Sequence, residues 1–158
     1  MKHLRYIKFF ITFFLILTTM SCDKKKNEFI PLEHMTFINS YYKESVKISY
    51  YILIDHSDSG DNLKKEIIQY AKQKLQHDKY LKQNNTTSVN FVFYKKTGNT
   101  SYFISHKENA AGLLSEEISH YKEDFIATYY ISKCSGGTME KIYMYEIPEE
   151  IILDNCKK

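Results

Sequence analysis

The sequence is poor in the residues on which many catalytic loops depend. It contains no tryptophan, five glycines, two prolines and three cysteines among 158 residues. Because glycine lets the backbone approach a ligand closely, so few glycines leave little material for phosphate-binding or oxyanion loops. The patterns G-x-S-x-G, H-E-x-x-H and C-x-x-C do not occur. These absences favour a protein that is not an enzyme.

The start of the chain has the layout of an export signal. Residues 9–20 carry no charge, and Lys2, Arg5 and Lys8 precede them. A basic start followed by a short apolar run is typical of a signal peptide, whereas a spanning helix needs about 20 apolar residues. A core helix does not fit, because the apolar residues cover every side and leave no polar face. We therefore predict a signal peptide at residues 1–21.

The run ends in Thr18-Thr19-Met20-Ser21-Cys22, which resembles the lipobox of bacterial lipoproteins. The resemblance covers residues 1–22 only. It implies that Cys22 becomes the mature N-terminus and carries diacylglycerol on its sulfur. Two acyl chains anchor a protein stably in a bilayer, whereas a single chain does not. It also implies an envelope protein at the inner or outer membrane, with its domain in the periplasm or at the cell surface. Cleavage by an ordinary signal peptidase, which releases the protein, is the alternative.

Removal of the signal peptide also removes the net charge. It takes three of the 22 basic residues and none of the 19 acidic ones, so the formal charge falls from +3 to zero. A nucleic-acid partner is therefore not expected. The basic cluster that remains, residues 24–26, lies beside the lipid, where a bilayer is its natural partner. We predict a lipidated tether at residues 22–33 and a single domain at residues 34–158.

The remaining cysteines form an even pair. With Cys22 lipidated, Cys134 and Cys156 stay in an oxidising compartment, where disulfides persist. A bridge between them would close a loop of about 22 residues and contribute roughly 3 kcal/mol. Two free thiols are the alternative.

Hydrophobic periodicity predicts an α+β domain. Alternation at residues 45–54 indicates a strand, and apolar spacing from residue 63 to about 81 indicates a helix. Residues 89–95 and 102–104 flank a turn and suggest a hairpin. A capping box at Ser105 and Glu108 introduces a second helix, and strands follow at residues 125–132 and 141–147. The order β-α-β-β-α-β-β predicts an antiparallel or mixed sheet with both helices on one face. Residues 34–44 fit either a strand or a helix.

Tyrosine is the most conspicuous residue, with 14 copies. Tyr suits a half-buried sheet face, which is the simplest explanation. An exposed aromatic face would instead bind a partner protein, as in an inhibitor, an immunity-type protein or an accessory subunit of an envelope complex, or it would bind a small ligand or glycan. The candidate binding residues are Tyr50, Tyr51, Tyr129, Tyr130, Tyr143 and Tyr145.

One stretch loosely resembles a calcium-binding loop. Asp55, Ser57, Ser59 and Glu66 fall at ligand positions around Gly60, but two serines replace carboxylates or amides and a strand precedes the loop. A strand-to-helix turn whose polar side chains cap the helix is the simpler interpretation, and a helix N-terminus that holds an anion is a third. We expect no metal and no cofactor beyond the lipid.

Histidines are the remaining candidates for catalysis. Glu116, His120 and Asp124 are spaced by four and could share a helix face, and Glu117 with His120 makes a single Glu-x-x-His. Carboxylate-bridged metal sites need two such motifs, so a solvated helix face is the simpler explanation. A hydrolase would need His56, His106 or His120 to meet carboxylates in one pocket.

Overall fold

The computed structural model describes residues 27–42, 45–55, 60–78 and 86–156. The predictions on the signal peptide, on Cys22 and on His56, Ser57 and Ser59 lie outside the described residues. The strands are β1 (Glu28–Pro31), β2 (Phe37–Tyr42), β3 (Ser45–Asp55), β4 (Thr86–Lys95), β5 (Phe125–Cys134), β6 (Gly137–Met144) and β7 (Ile147–Asp154). The helices are α1 (Asp61–His77), α2 (Tyr102–Ser105) and α3 (Ala111–Ile118), with 3-10 turns at Glu33–Met35 and Lys122–Asp124.

All seven strands join one sheet in the order β1-β3-β4-β5-β6-β7, and β2 also pairs with β3. β3 and β4 are parallel, with α1 in the crossover between them, and every other pair is antiparallel. β1 and β2 follow one another along the same edge of β3. The mostly antiparallel sheet with its helices confirms the predicted α+β class.

The helices cover opposite faces of the sheet. Ile52 and Ile54 of β3 belong to the buried cluster that contains Ile67 of α1, while Leu53 between them belongs to the cluster of Leu114 in α3. Since neighbouring residues of a strand point to opposite faces, α1 packs on one face and α2 with α3 on the other. The expectation that both helices pack on one face is wrong. The connection from β3 to β4 places α1 on one face of the sheet, and the connection from β4 to β5 places α2 and α3 on the other face.

Helix α1 follows from its apolar spacing. Gly60 precedes it with a φ of 95°, a conformation that suits glycine. Leu63, Ile67 and Ala71 recur every four residues and are buried against the sheet. The helix ends at His77, four residues before the predicted end, and Asp78 is its C-cap in an extended conformation.

Three expectations about secondary structure need correction. Residues 102–104 do not form a hairpin strand, because Tyr102–Ser105 makes a single helical turn that buries Phe103. The second long helix begins at Ala111 rather than near Ser105. The final apolar stretch divides at a turn, where Glu146 has a φ of 58°, so that β7 becomes an additional edge strand.

The N-terminal boundary of the domain also shifts. Residues 28–31, which we expected in the tether, form β1 and pair with the end of β3. Phe29 stacks on Tyr70 of α1, with ring centroids 4.6 Å apart. The ambiguous residues 34–44 contain the end of the 3-10 turn and strand β2.

The two cysteines of the domain lie at disulfide distance. Cys134 ends β5, Cys156 follows β7, and their Cα atoms are 5.6 Å apart. The bridge joins the β5–β6 turn to the C-terminal segment. Among the residues described, no helix is both long and apolar enough to cross a bilayer.

Candidate functional site

A cavity of about 400 Å³ lies between the second half of α1 and the connection from β1 to β2. β1 pairs with residues 52–55 of β3, and β2 pairs with residues 45–49. Between them the Leu32 N–H still donates to the carbonyl oxygen of Tyr51, and the chain then leaves the ladder as the 3-10 turn Glu33–Met35, so the edge of the sheet is interrupted at residue 50. The cavity, called the α1 cavity below, occupies this interruption.

The sheet forms an aromatic floor for the α1 cavity. Tyr50 of β3 and Phe91 of β4 are direct neighbours in the parallel ladder, and both line the cavity. Their rings stack with centroids 5.2 Å apart and an interplanar angle of 22°. Such an offset pair contributes about 0.5–1.5 kcal/mol beyond the area it buries. Ile52 lies beside them, and because Phe91 and Ile52 are only 2% and 1% exposed, Tyr50 provides the accessible part of the floor.

One face of α1 forms the wall. Tyr70, Lys74, His77 and Asp78 all line the cavity, and their spacing of four, three and one residues places them on one side of the helix end. Tyr50 donates its hydroxyl hydrogen to the carboxylate of Asp78. Asp78 is buried, with 9% of its surface exposed, so this bond ties the end of the helix to the floor.

The hydroxyl of Tyr70 is a buried polar group without a hydrogen-bond partner among the described residues. Burial raises the pKa of Tyr70 to about 12, and the nearby Glu33 carboxylate adds to the rise. The phenol is therefore neutral at physiological pH and retains a hydrogen to donate. Buried polar atoms in folded proteins nearly always have a partner, so this hydroxyl is an exception to the usual pairing beside the cavity.

An ion pair stands at the rim. Lys74 Nζ lies 3.3 Å from Glu33 Oε1, and both side chains are largely exposed. The same Nζ lies 6.0 Å from the ring centroid of Tyr70, within the range of a cation–π contact. The lining thus contains two carboxylates, Glu33 and Asp78, against one lysine.

The six candidate tyrosines do not share one face. Tyr50 and Tyr129 point to the side that α1 covers, and Tyr129 is fully buried. The hydroxyl of Tyr129 donates to Glu140, whose carboxylate lies 3.5 Å from Lys72 Nζ on α1. Burial, followed by this bond, raises the pKa of Tyr129. Tyr129 is a core residue rather than a binding residue.

Tyr51, Tyr130 and Tyr143 point to the opposite side. Tyr51 packs against the α2–α3 cluster, whereas Tyr143 stacks on Phe125 and keeps 45% of its surface exposed. Tyr145 lies in the β6–β7 turn and is 49% exposed. Of the six, Tyr143 and Tyr145 are therefore the most accessible to a partner.

On this side, Phe125 at the start of β5 packs against the cluster of α2 and α3, but neither helix shares a buried cluster with β6 or β7. Tyr130 pairs with Lys141, which pairs with Ile151, and Ile151 is 56% exposed. The surface made by Tyr130, Met139, Lys141, Tyr143 and Ile151 is called the open face below.

Asp55 and Glu66, the described candidate ligands of the calcium-like loop, have structural partners. Asp55 Oδ2 accepts a hydrogen bond from Lys96 Nζ at 2.8 Å, and Glu66 Oε2 accepts one from Asn27 Nδ2 at 2.8 Å. Within the described ranges no group of three His, Cys, Asp or Glu side chains is placed to hold a metal ion.

His106 and His120 lie apart from the cavity. His106 stacks on Tyr102 with centroids 3.5 Å apart, and its Nδ1 donates to the carbonyl oxygen of Tyr102 at 2.8 Å. His120 is exposed in the turn after α3. Asp124 is buried and accepts a hydrogen bond from the Thr97 hydroxyl at 2.9 Å, so it stabilises the loop after β4.

Sequence reasoning missed most of the cavity residues. Of its lining, only Tyr50 and Tyr51 were candidates, whereas Tyr70, Asp78 and Glu33 were not. The spacing of Tyr70, Lys74, His77 and Asp78 indicates a polar stripe along one side of α1. That spacing does not show that the strand pairing along β3 is interrupted beside the stripe.

No protein-family model, no curated protein and no solved structure matches this chain.

Proposed function

We propose that this chain is a lipid-anchored protein of the bacterial envelope whose domain is not catalytic and binds another macromolecule through the open face. An inhibitor, an immunity-type protein or an accessory subunit of an envelope complex fits this description. The observation that carries the proposal is the open face itself, a stretch of sheet that leaves Tyr143 and Ile151 about half exposed.

The composition of the open face supports a protein partner. Protein interfaces are enriched in tyrosine and methionine at their centres and are polar at their rims. Tyr130, Met139 and Tyr143 give the aromatic and flexible apolar contacts. Lys141 lies between Tyr130 and Ile151 within the open face, and its ion pair with Glu149 at 2.7 Å offsets its charge there.

The anchor and the domain lie close together in the chain. Since β1 begins at Glu28, only residues 22–27 separate the proposed lipid on Cys22 from the sheet. Six extended residues span at most about 20 Å. A partner of the open face would therefore be another component at the same membrane.

Site-directed photo-crosslinking in intact cells tests this function. A benzoyl-phenylalanine in place of Ile151 should give a discrete adduct, and the same probe in place of exposed Gln69 on α1 should not. Tyr143→Ser should strongly reduce the Ile151 adduct, because the two side chains share the open face. Equal adducts at both probe positions, or an Ile151 adduct that ignores Tyr143→Ser, would contradict the proposal.

The α1 cavity supports a second candidate function, the binding of a small ligand or glycan. Its volume of about 400 Å³ falls within the range of roughly 300–1,000 Å³ that is usual for small-molecule sites. It is concave and has an aromatic floor with several polar groups on one wall. A hydrolase that uses His56, His106 or His120 is less favoured, because His106 and His120 do not line this cavity.

A further inference from the structure

We propose that the domain rests on a lipid bilayer with one end of its sheet, the end at which the chain enters from the anchor, and that the turn between β6 and β7 contacts the lipid headgroups there. This orientation rests on the lipid anchor of the proposed function and goes beyond it. It uses neither the α1 cavity nor the open face.

One end of the sheet collects the ends of several strands. Glu28 at the start of β1 pairs with Asp55 at the end of β3, and the parallel ladder between β3 and β4 ends at Lys95. Phe125 begins β5 opposite the end of β4, and Tyr145 follows the last residue of β6. This end, defined by Glu28, Asp55, Lys95, Phe125 and Tyr145, is called the anchor end below.

The length of the chain limits how far the anchor end can lie from the lipid. Asn27 is buried, and its Nδ2 donates to Glu66 Oε2 on α1 at 2.8 Å. Residues 22–26 are therefore all that separates the proposed lipid from a residue that the domain holds, and five extended residues span at most about 18 Å. With its 11 residues, β3 is roughly 36 Å long. The anchor end thus stays near the bilayer, whereas the opposite end reaches it only if the domain lies on its side.

The β6–β7 turn exposes an aromatic and an aliphatic side chain at the anchor end. Tyr145 keeps 49% of its surface exposed and Ile147 keeps 52%. Met144 pairs directly with Ile147, so Tyr145 and Glu146 lie beyond the last pair of the two strands. Tyrosine is enriched where a bilayer meets water, because its ring is apolar and its hydroxyl is polar. An exposed isoleucine also gains free energy when it leaves water.

The turn at the opposite end of the sheet lacks such side chains. Ser135 and Gly136 form the turn between β5 and β6, and both are exposed. Neither residue offers apolar surface to a bilayer. Of these two turns, only the one at the anchor end is therefore suited to the headgroup region.

The charges of the anchor end suit a zwitterionic bilayer. Its exposed charged residues are of both signs: Lys95, Lys122, Glu28, Glu123 and Glu146. Lys96 is paired with Asp55, with Nζ 2.8 Å from Oδ2. Headgroups such as phosphatidylcholine likewise carry one charge of each sign. Because the anchor already confines the domain to the membrane, weak contacts of the exposed turn suffice to orient it.

Single-tryptophan fluorescence tests this orientation, because the chain contains no tryptophan of its own. The acylated chain is reconstituted into phosphatidylcholine vesicles, with and without bromine on the acyl carbons nearest the headgroup, where bromine quenches tryptophan on contact. Tyr145→Trp and, in a separate variant, Ile147→Trp should lose fluorescence in the brominated vesicles. Ser135→Trp, in the turn at the opposite end, is the matched control and should not.

Flotation with the vesicles and the mass of the N-terminal peptide report the anchor separately. If the acylated chain floats but neither probe of the β6–β7 turn is quenched, the orientation is wrong and the anchor stands. Quenching of Ser135→Trp as strong as that of Tyr145→Trp would also overturn the orientation. A chain without acyl groups would overturn the anchor and the orientation together. The open face is tested by the crosslinking experiment and not by these results.

Discussion

Tyr50 in β3 donates a hydrogen bond to the carboxylate of Asp78, the residue that caps α1. The bond joins the floor of the α1 cavity to its wall, across the same gap that the break between β1 and β2 opens. It therefore ties the end of the helix to the sheet beside the cavity.

The first prediction compares two hydroxyls of the cavity. Tyr50→Phe removes a donor from a buried carboxylate and should lower the free energy of unfolding by about 1.5–3 kcal/mol. Tyr70→Phe is its control, because its hydroxyl bonds to no described residue, and it should change stability little or raise it slightly. Urea unfolding of both variants measures the difference. Equal destabilisation would show that the Tyr50–Asp78 bond does not contribute.

The second prediction concerns close backbone packing beside the disulfide. A Cβ atom on Gly137 would overlap the backbone carbonyl of Asn155, whose N–H donates to the carbonyl of Thr138 at 3.0 Å. Gly137→Ala should therefore destabilise the domain by about 1–3 kcal/mol. A Cβ on Gly98 meets nothing within 4 Å, so Gly98→Ala is the matched control. Equal thermal stability of the two variants would contradict the close packing of Gly137 against the backbone of Asn155.

The third prediction concerns the Cys134–Cys156 pair. Replacing both cysteines by serine should lower the free energy of unfolding by about 3 kcal/mol, because the bridge closes a loop of 22 residues. Reductant should destabilise the native chain by a similar amount and leave the double variant unchanged. Mass mapping without reductant should link the two peptides. Two thiols that alkylate readily in the oxidised, folded protein would refute the bridge.

The fourth prediction is a loss of stability in alkali. Burial, with a smaller effect of Tyr51, raises the pKa of Tyr94 to about 12, whereas an unfolded tyrosine titrates near 10. The folded state therefore holds the proton more tightly, and its stability falls as the pH rises from about 10 to 12. Each such tyrosine adds a slope of up to about 1.4 kcal/mol per pH unit.

Urea unfolding at several pH values measures that slope. Tyr94→Phe should make it shallower, and Tyr145→Phe, which removes the hydroxyl of an exposed ring, should not. Absorbance at 295 nm should also show tyrosines that ionise later than the others. A slope that is the same in both variants would mean that Tyr94 is not desolvated in the folded protein.

The fifth prediction concerns the anchor. Cys22→Ser should leave a larger precursor that takes up no labelled fatty acid, because the proposed lipid is attached to the Cys22 sulfur. Electrophoresis with a labelled fatty acid measures both effects, and Ser21→Ala, which keeps a small residue before the cysteine, is the control. Normal maturation of Cys22→Ser would contradict the lipoprotein prediction.

Part of the fold could be predicted from the sequence, because the spacing of apolar residues within one segment distinguishes a strand from a helix. The alternation at residues 45–54 predicted β3, and the four-residue spacing of Leu63, Ile67 and Ala71 predicted α1. The cysteine pair was predicted from the even number that remains after Cys22 and from the proposed oxidising compartment. The short run at residues 102–104 misled, because three apolar residues suit a strand or a helical turn equally well, and the burial of Phe103 decided between them.

The sequence by itself determined the class of the domain, its principal strand and helix, and the cysteines that meet. Only the tertiary structure decided which side each helix covers, and therefore that Tyr129 is buried while Tyr143 is exposed. It alone decided where the edge strand breaks, and so brought Glu33, Tyr50 and Asp78 to one cavity. The physical reason is that periodicity records which residues of one segment share a side, whereas a cavity depends on how separate segments pack.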